Sequence, residues 1–187
     1  GGGPAGSMAA LRLREAGYCV TLVEKERAPH HKVCGEFLSH EAVDYLQRAG
    51  LSPFDLGAAT IRFLRLSSGH RCAETHLPFR ALSLSRYVLD AALLEHAAAR
   101  GCRIIRGAAV DRLALNDRTW NARLNDGRTL HSETVFLANG KHDLHGWNRS
   151  RGAQSDLIGF KAHWRLTAAQ TRELREWMEL FLFPGVY

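Results

Sequence analysis

Gly1-Gly2-Gly3-Pro4-Ala5-Gly6 satisfies the spacing G-x-G-x-x-G through Gly1, Gly3 and Gly6. In that spacing the first glycine permits a tight turn, and the second lets backbone approach a pyrophosphate. The third lets a helix pack closely on a strand. A helix starting there offers free N–H groups and the positive end of its dipole to an anion. Glu24 stands 18 residues beyond Gly6, at the end of an apolar run. An acid at that distance accepts hydrogen bonds from ribose hydroxyls. Taken singly, each signal has a plainer reading, a flexible glycine-rich stretch or a surface glutamate. Taken together they point to a dinucleotide site. The carboxylate argues against a ribose 2′-phosphate and so against NADP, leaving NAD and FAD open.

Such a site needs a strand, a helix and a second strand to hold it. Met8, Leu11 and Leu13 belong to a short helix ended by Gly17, and residues 18–23 (YCVTLV) read as a strand covered on both faces. Ser39 caps a helix over 41–49 closed by Gly50, and residues 60–84 alternate as antiparallel strands around Ser67-Ser68-Gly69. Ser85 caps a helix to Arg100, followed by the short strand 103–106 (RIIR). Residues 110–115, 120–124 and 128–131 form a meander, the last two joined through Asn125-Asp126-Gly127. Residues 134–137 (TVFL) read as another buried strand, and 158–166 as a further one. Thr167 and Gln170 form a capping box for a helix running to about Met178.

Other chemistries fit less well. The 187 residues are 45% hydrophobic and 24% charged, ordinary globular values that exclude a disordered tail. The +6 net charge favours an anionic small ligand, but only four of the 25 basic residues are lysines and the arginines are interspersed with acids. No basic run alternates with aromatics, so nucleic acid is not an expected partner. His30-His31 and the loop histidines His142 and His145 lack ligand spacing, so no metal is expected. There is no G-x-S-x-G elbow for a hydrolase. Four cysteines without a CxxC pair suit reduced thiols and a cytoplasmic protein. No signal peptide is visible and no run of apolar residues is long enough to span a membrane, though peripheral contact stays open.

The meander after RIIR separates this pattern from a plain NAD domain. GGGPAGS (1–7), VEK (23–25), VCGEFLS (33–39), SRYVLDAALLEHAAARG (85–101), LANGKHDLHG (137–146) and GFKAHWRL (159–166) follow one another in a specific order. In that order they resemble the FAD-dependent oxidoreductases that include aromatic-ring monooxygenases, flavin halogenase-like proteins and geranylgeranyl reductases. The resemblance implies a Rossmann-like FAD-binding domain of the glutathione reductase type with a β-meander. It covers 1–59 and 85–157, with part of a mixed β substrate domain at 60–84 and 158–187. It also implies a fragment truncated at both ends, lacking the first strand and a later ribityl-contacting segment, and binding FAD poorly by itself.

By the same resemblance, Gly1, Gly3, Pro4, Ala5 and Gly6 line the FAD pyrophosphate, and Glu24 with Lys25 lies at the adenosine ribose. Arg86 runs along the phosphates or ribityl chain, and Val110 meets adenine through its backbone. Cys34 and Gly35 pass by the isoalloxazine, Gly35 through close approach and Cys34 more as a small, buried, inert residue than a redox thiol. Ala138, Asn139 and Gly140 approach the cofactor, with Asn139 where many relatives carry Asp. No catalytic residue is assigned, and Lys161 and His163 are candidates for the substrate side. Trp177, Met178, Phe181 and Phe183 form an apolar cluster, either core or substrate wall, and Phe183-Pro184-Gly185 resembles an FPGGYG-type segment. The implied activity is a monooxygenase-like oxidation of an apolar or aromatic small molecule, with NAD(P)H as external reductant. A prenyl reductase saturating C=C bonds, a halogenase-like enzyme, an NAD-binding module and an inactive fragment are the alternatives. The sequence carries no reading of oligomeric state.

Overall fold

The structure, a computed structural model, describes residues 1–148 and 158–183. The chain folds as two compact units, Gly1–Lys32 with Arg86–Gly159, and Val33–Ser85 with Phe160–Tyr187. Residues 33–59, assigned by sequence to the nucleotide unit, therefore fold with the second unit. The reason is strand pairing: β2 (Phe37–Leu38) joins β4 (Arg71–Ser83), and helix α2 (His40–Arg48) packs beside it.

In the first unit, helix α1 (Pro4–Glu15) starts from Gly3 in an extended conformation, with Pro4 preset for the first helical position. Gly17 ends it at φ +88°, and Gly17 N–H and Tyr18 N–H donate to the carbonyls of Arg14 and Leu13. Strand β1 (Thr21–Glu24) pairs in parallel with β5 (Arg103–Arg106), in register from Thr21 on Arg103 to Glu24 on Arg106. Helix α3 (Arg86–Ala99) supplies the crossover that a parallel pair requires. Its buried Leu89, Leu93, Leu94 and Ala97 face a core that also contains Ala10 and Leu11 of α1. Strands β6 (Val110–Asn116), β7 (Thr119–Leu124) and β8 (Thr129–Ser132) form the antiparallel meander. It joins the core through Ile105, Ala108 and Leu124, with Val23, Val110 and Leu130 packed alongside.

The second unit is a four-stranded sheet ordered β2-β4-β3-β9, with β3 at Ala59–Ser68 and β9 at Trp177–Leu182. Its core is Ile61, Leu77 and Ala81, backed by Phe37, Leu64 and Met178. Ser39 caps α2 by accepting the Ala42 N–H, as the sequence predicts.

Four expectations differ. The strand read over 18–23 begins only at Thr21, and Tyr18 is exposed. Residues 134–137 form no strand, because among the described residues no neighbour completes a ladder there, and Phe136 and Leu137 lie exposed. Residues 158–166 also stay irregular, with Ile158, Phe160 and Trp164 exposed, since β9 takes the open edge of β3 instead. The capping box of Thr167 and Gln170 forms, but helix α4 covers only Ala168–Glu173. Glu176 turns the chain at φ +66°, and its carbonyl accepts the N–H groups of Arg62 and Phe63. Trp177 then stacks on Phe63 and lies under the Arg65 guanidinium, so extended pairing outweighs helix continuation.

Candidate functional site

Three backbone segments meet at the start of α1. A Cβ on Gly6 would stand 1.9 Å from the Gly1 carbonyl oxygen, and one on Gly1 would stand 2.4 Å from the Ala138 carbonyl oxygen. Glycine is therefore required at both positions by the protein's own backbone. Gly3 differs. The only described atom that a Cβ there would meet is Arg86 Nη2, at 3.4 Å. The face above Gly3 is thus open to a ligand, and the first-turn N–H groups of Ala5 and Gly6 have no intrahelical acceptor to satisfy them. Ser7, fully buried, donates its hydroxyl to the Gly2 carbonyl at 3.2 Å and braces the turn from below.

Glu24 lies at the tip of β1, 7% exposed. The Gly2 N–H donates to its Oε2 at 2.5 Å, and the Glu26 N–H donates to Oε1 at 3.0 Å. Burial pushes this carboxyl up, but the two backbone donors and the Lys32 charge outweigh it, so Glu24 is held below the ordinary glutamate range. An ionised carboxylate has about four acceptor sites, so two backbone donors leave capacity for ribose hydroxyls. Beside it lies a shallow groove, walled by Gly2, Glu24, Lys32, Asp90, Leu94 and Arg106 among others, with a cavity of only about 20 Å³.

Arg86, on the first turn of α3, reaches the turn from the other side. Its Nε and Nη2 donate to both carboxylate oxygens of Asp90, at 2.6 and 2.9 Å. Lys32 Nζ lies 3.3 Å from Asp90 Oδ2. The sequence-predicted residues Gly1, Gly3, Pro4, Ala5, Gly6, Glu24, Arg86 and Ala138 thus converge on one turn. Lys25 points outward to an ion pair with Glu26. Val110 starts β6 with its side chain in the core cluster. Asn139 donates from Nδ2 to the His142 carbonyl, and Gly140 sits at φ +67°, where a side chain would be strained. Cys34 and Gly35 belong to the second unit. Cys34 is exposed, not the buried residue expected, and Glu36 N–H donates to its sulfur at 3.4 Å. Lys161 in that unit pairs with Glu36.

Sequence reasoning missed Gly2, Lys32 and Asp90. The i,i+4 spacing of Arg86 and Asp90 on one helix was a readable signal. Lys32 offered none, since its partner lies on a distant segment.

Residues 1–140 match the family described as the FAD binding domain. The chain belongs to that family. This FAD-binding domain resembles a menaquinone reductase of Mycolicibacterium smegmatis, 31% identical over 153 residues, covering 78% of this chain and 37% of the relative. It is also similar to a rifampicin monooxygenase of Streptomyces venezuelae, 28% identical across 75% of this chain and 30% of the relative. The chain therefore spans about a third of the length of these curated relatives. Among solved structures, the flavin-dependent halogenase CmlS aligns with TM-score 0.64 and 25% identity, over 71% of this chain and 27% of that one. A flavoprotein/dehydrogenase of Cytophaga hutchinsonii aligns with TM-score 0.59 and 22% identity, over 71% and 35%.

FAD is the cofactor of the family, and the residues present fit it. The open face of Gly3, the first-turn N–H groups that lack an intrahelical acceptor and the spare acceptor capacity of Glu24 match a pyrophosphate and a ribose. The described residues contain no helix long and apolar enough to cross a membrane.

Proposed function

We propose that the protein is the cofactor-binding part of an FAD-dependent oxidoreductase of the monooxygenase kind, acting on an apolar or aromatic small molecule with NAD(P)H as external reductant. The observation that carries this reading is the phosphate turn with Glu24 hydrogen-bonded across it, in a chain whose family is the FAD binding domain. When bound, FAD supplies the electron transfer. The chain's own residues bind and orient. Gly3, Ala5 and Gly6 offer backbone N–H groups to the pyrophosphate, Arg86 offers positive charge beside it, and Glu24 accepts from ribose hydroxyls. No acid or base is assigned among them, and we read the protein as cytoplasmic from its cysteines, spaced as reduced thiols without a CxxC pair.

A reductase that saturates C=C bonds is the second reading, favoured by the 31% identity to the menaquinone reductase. The test uses the full-length protein. Its absorbance spectrum and chromatography of the released cofactor should show FAD, and NAD(P)H oxidation should consume oxygen when substrate is present. Saturation of a prenyl or quinone side chain without oxygen uptake would select the reductase. A colourless protein that binds NAD would sink both.

A further inference from the structure

Asp90 is buried, carries no expected role in cofactor contact, and yet is shared by two basic residues from separate segments. Arg86 grips both of its oxygens, and Lys32 Nζ reaches Oδ2 at 3.3 Å. Arg86 Nη2 is also the atom over Gly3, while Lys32 belongs to the segment that walls the groove beside Glu24. Next to this clasp, the His31 ring stacks on Tyr87 at 5.0 Å, tying the same segment to the same helix turn a second time. A guanidinium on a flexible stem would otherwise sample many rotamers, and a bidentate carboxylate fixes its plane.

We infer that Asp90 is a positioning residue of the dinucleotide site, holding Arg86 over the phosphate turn and Lys32 against the groove from one buried carboxylate. This rests on the FAD reading above and adds the residue that preorganises it. The carboxylate also matters for charge. Without it two cations would stand near each other with no shared counter-ion, and each would relax toward solvent. Preorganisation lowers the cost of binding because the side chains are already ordered.

The test is FAD binding by the deflavinated full-length protein, read by quenching of flavin fluorescence, together with the melting temperature of the cofactor-free protein. Asp90→Asn keeps the shape and removes the charge, and should weaken FAD binding about tenfold, the loss of one charge-assisted contact. Arg86→Gln should weaken it comparably, and the double variant should be little worse than either single one, since the two act as a unit. Melting without FAD should move much less than the FAD-induced gain in melting temperature. Asp90→Glu, which keeps the charge one methylene further out, should recover part of the affinity, and it carries the comparison should Asp90→Asn fail to fold. Unchanged FAD affinity in Asp90→Asn, in a protein where Gly3→Val abolishes binding, would overturn the role of Asp90 and leave the cofactor reading intact. Additive losses in the double variant would overturn it as well. A wild-type protein without affinity for FAD would remove both.

Discussion

Gly3 and Gly6 are both glycines of one motif, but the structure requires them for different reasons, and alanine separates the two. Gly3 has φ −74° and ψ 179°, which any residue adopts, and its added Cβ would meet only the far end of the Arg86 side chain. Gly3→Ala should therefore leave the cofactor-free protein within about 0.5 kcal/mol of wild type, or slightly more stable through a stiffer unfolded chain. Gly6→Ala would place a carbon 1.9 Å from the Gly1 carbonyl oxygen, a backbone atom that cannot swing aside. Helix and turn would have to separate by more than an ångström, costing about 1–3 kcal/mol or more. With FAD the order changes. On the proposed placement of the cofactor, the Gly3 methyl stands where the pyrophosphate would approach, and loss of one charge-assisted hydrogen bond, about 1.5–3 kcal/mol, should weaken binding roughly tenfold to a hundredfold. The assay pairs melting of the deflavinated full-length protein with FAD titration of each variant. Gly3→Ala binding FAD as tightly as wild type would refute the placement of phosphate on that face.

Three further outcomes are expected. The Glu24 carboxyl is held below its ordinary value in the fold, so its ionised form contributes stability that is present above about pH 4.5 and fades as pH falls through the folded value. Glu24→Gln should remove that part of the acid-side loss, seen as a flatter denaturation midpoint between neutral and acidic pH, and should lower flavin occupancy at neutral pH. Leu93→Ala, at a fully buried position on α3, should cost about 2–5 kcal/mol in denaturant unfolding. Arg118 takes φ +68° in the β6–β7 turn, and Arg118→Gly should raise stability by about 0.5–1 kcal/mol, the left-handed strain relieved less the added unfolded entropy of glycine.

The phosphate turn was readable because its requirement is local. Three glycines and a proline dictate backbone conformation without reference to the rest of the chain, and Ser39, Thr167 and Gln170 announce helix starts in the same way. The failures all involve choices made at long range. TVFL has strand composition, but a strand exists only where a neighbour completes its ladder. WMELFL follows a capped helix and reads as its continuation until β3 offers it an edge. Lys32 and Asp90 were invisible for the same reason, since 58 positions separate two side chains whose meeting depends on the crossover helix.

β1 and β5 are neighbours in space, with Thr21 opposite Arg103, yet the whole stretch Val33–Ser85 is spent on the other unit before the partner strand arrives. During synthesis the ribosome therefore releases the glycine turn long before Arg86, Asp90 or RIIR exist to complete it. Closing so long an excursion is entropically slow. A nascent chain paused inside that excursion holds half of the proposed nucleotide grip, and the grip is completed before β9, the last strand of the other unit, has been made.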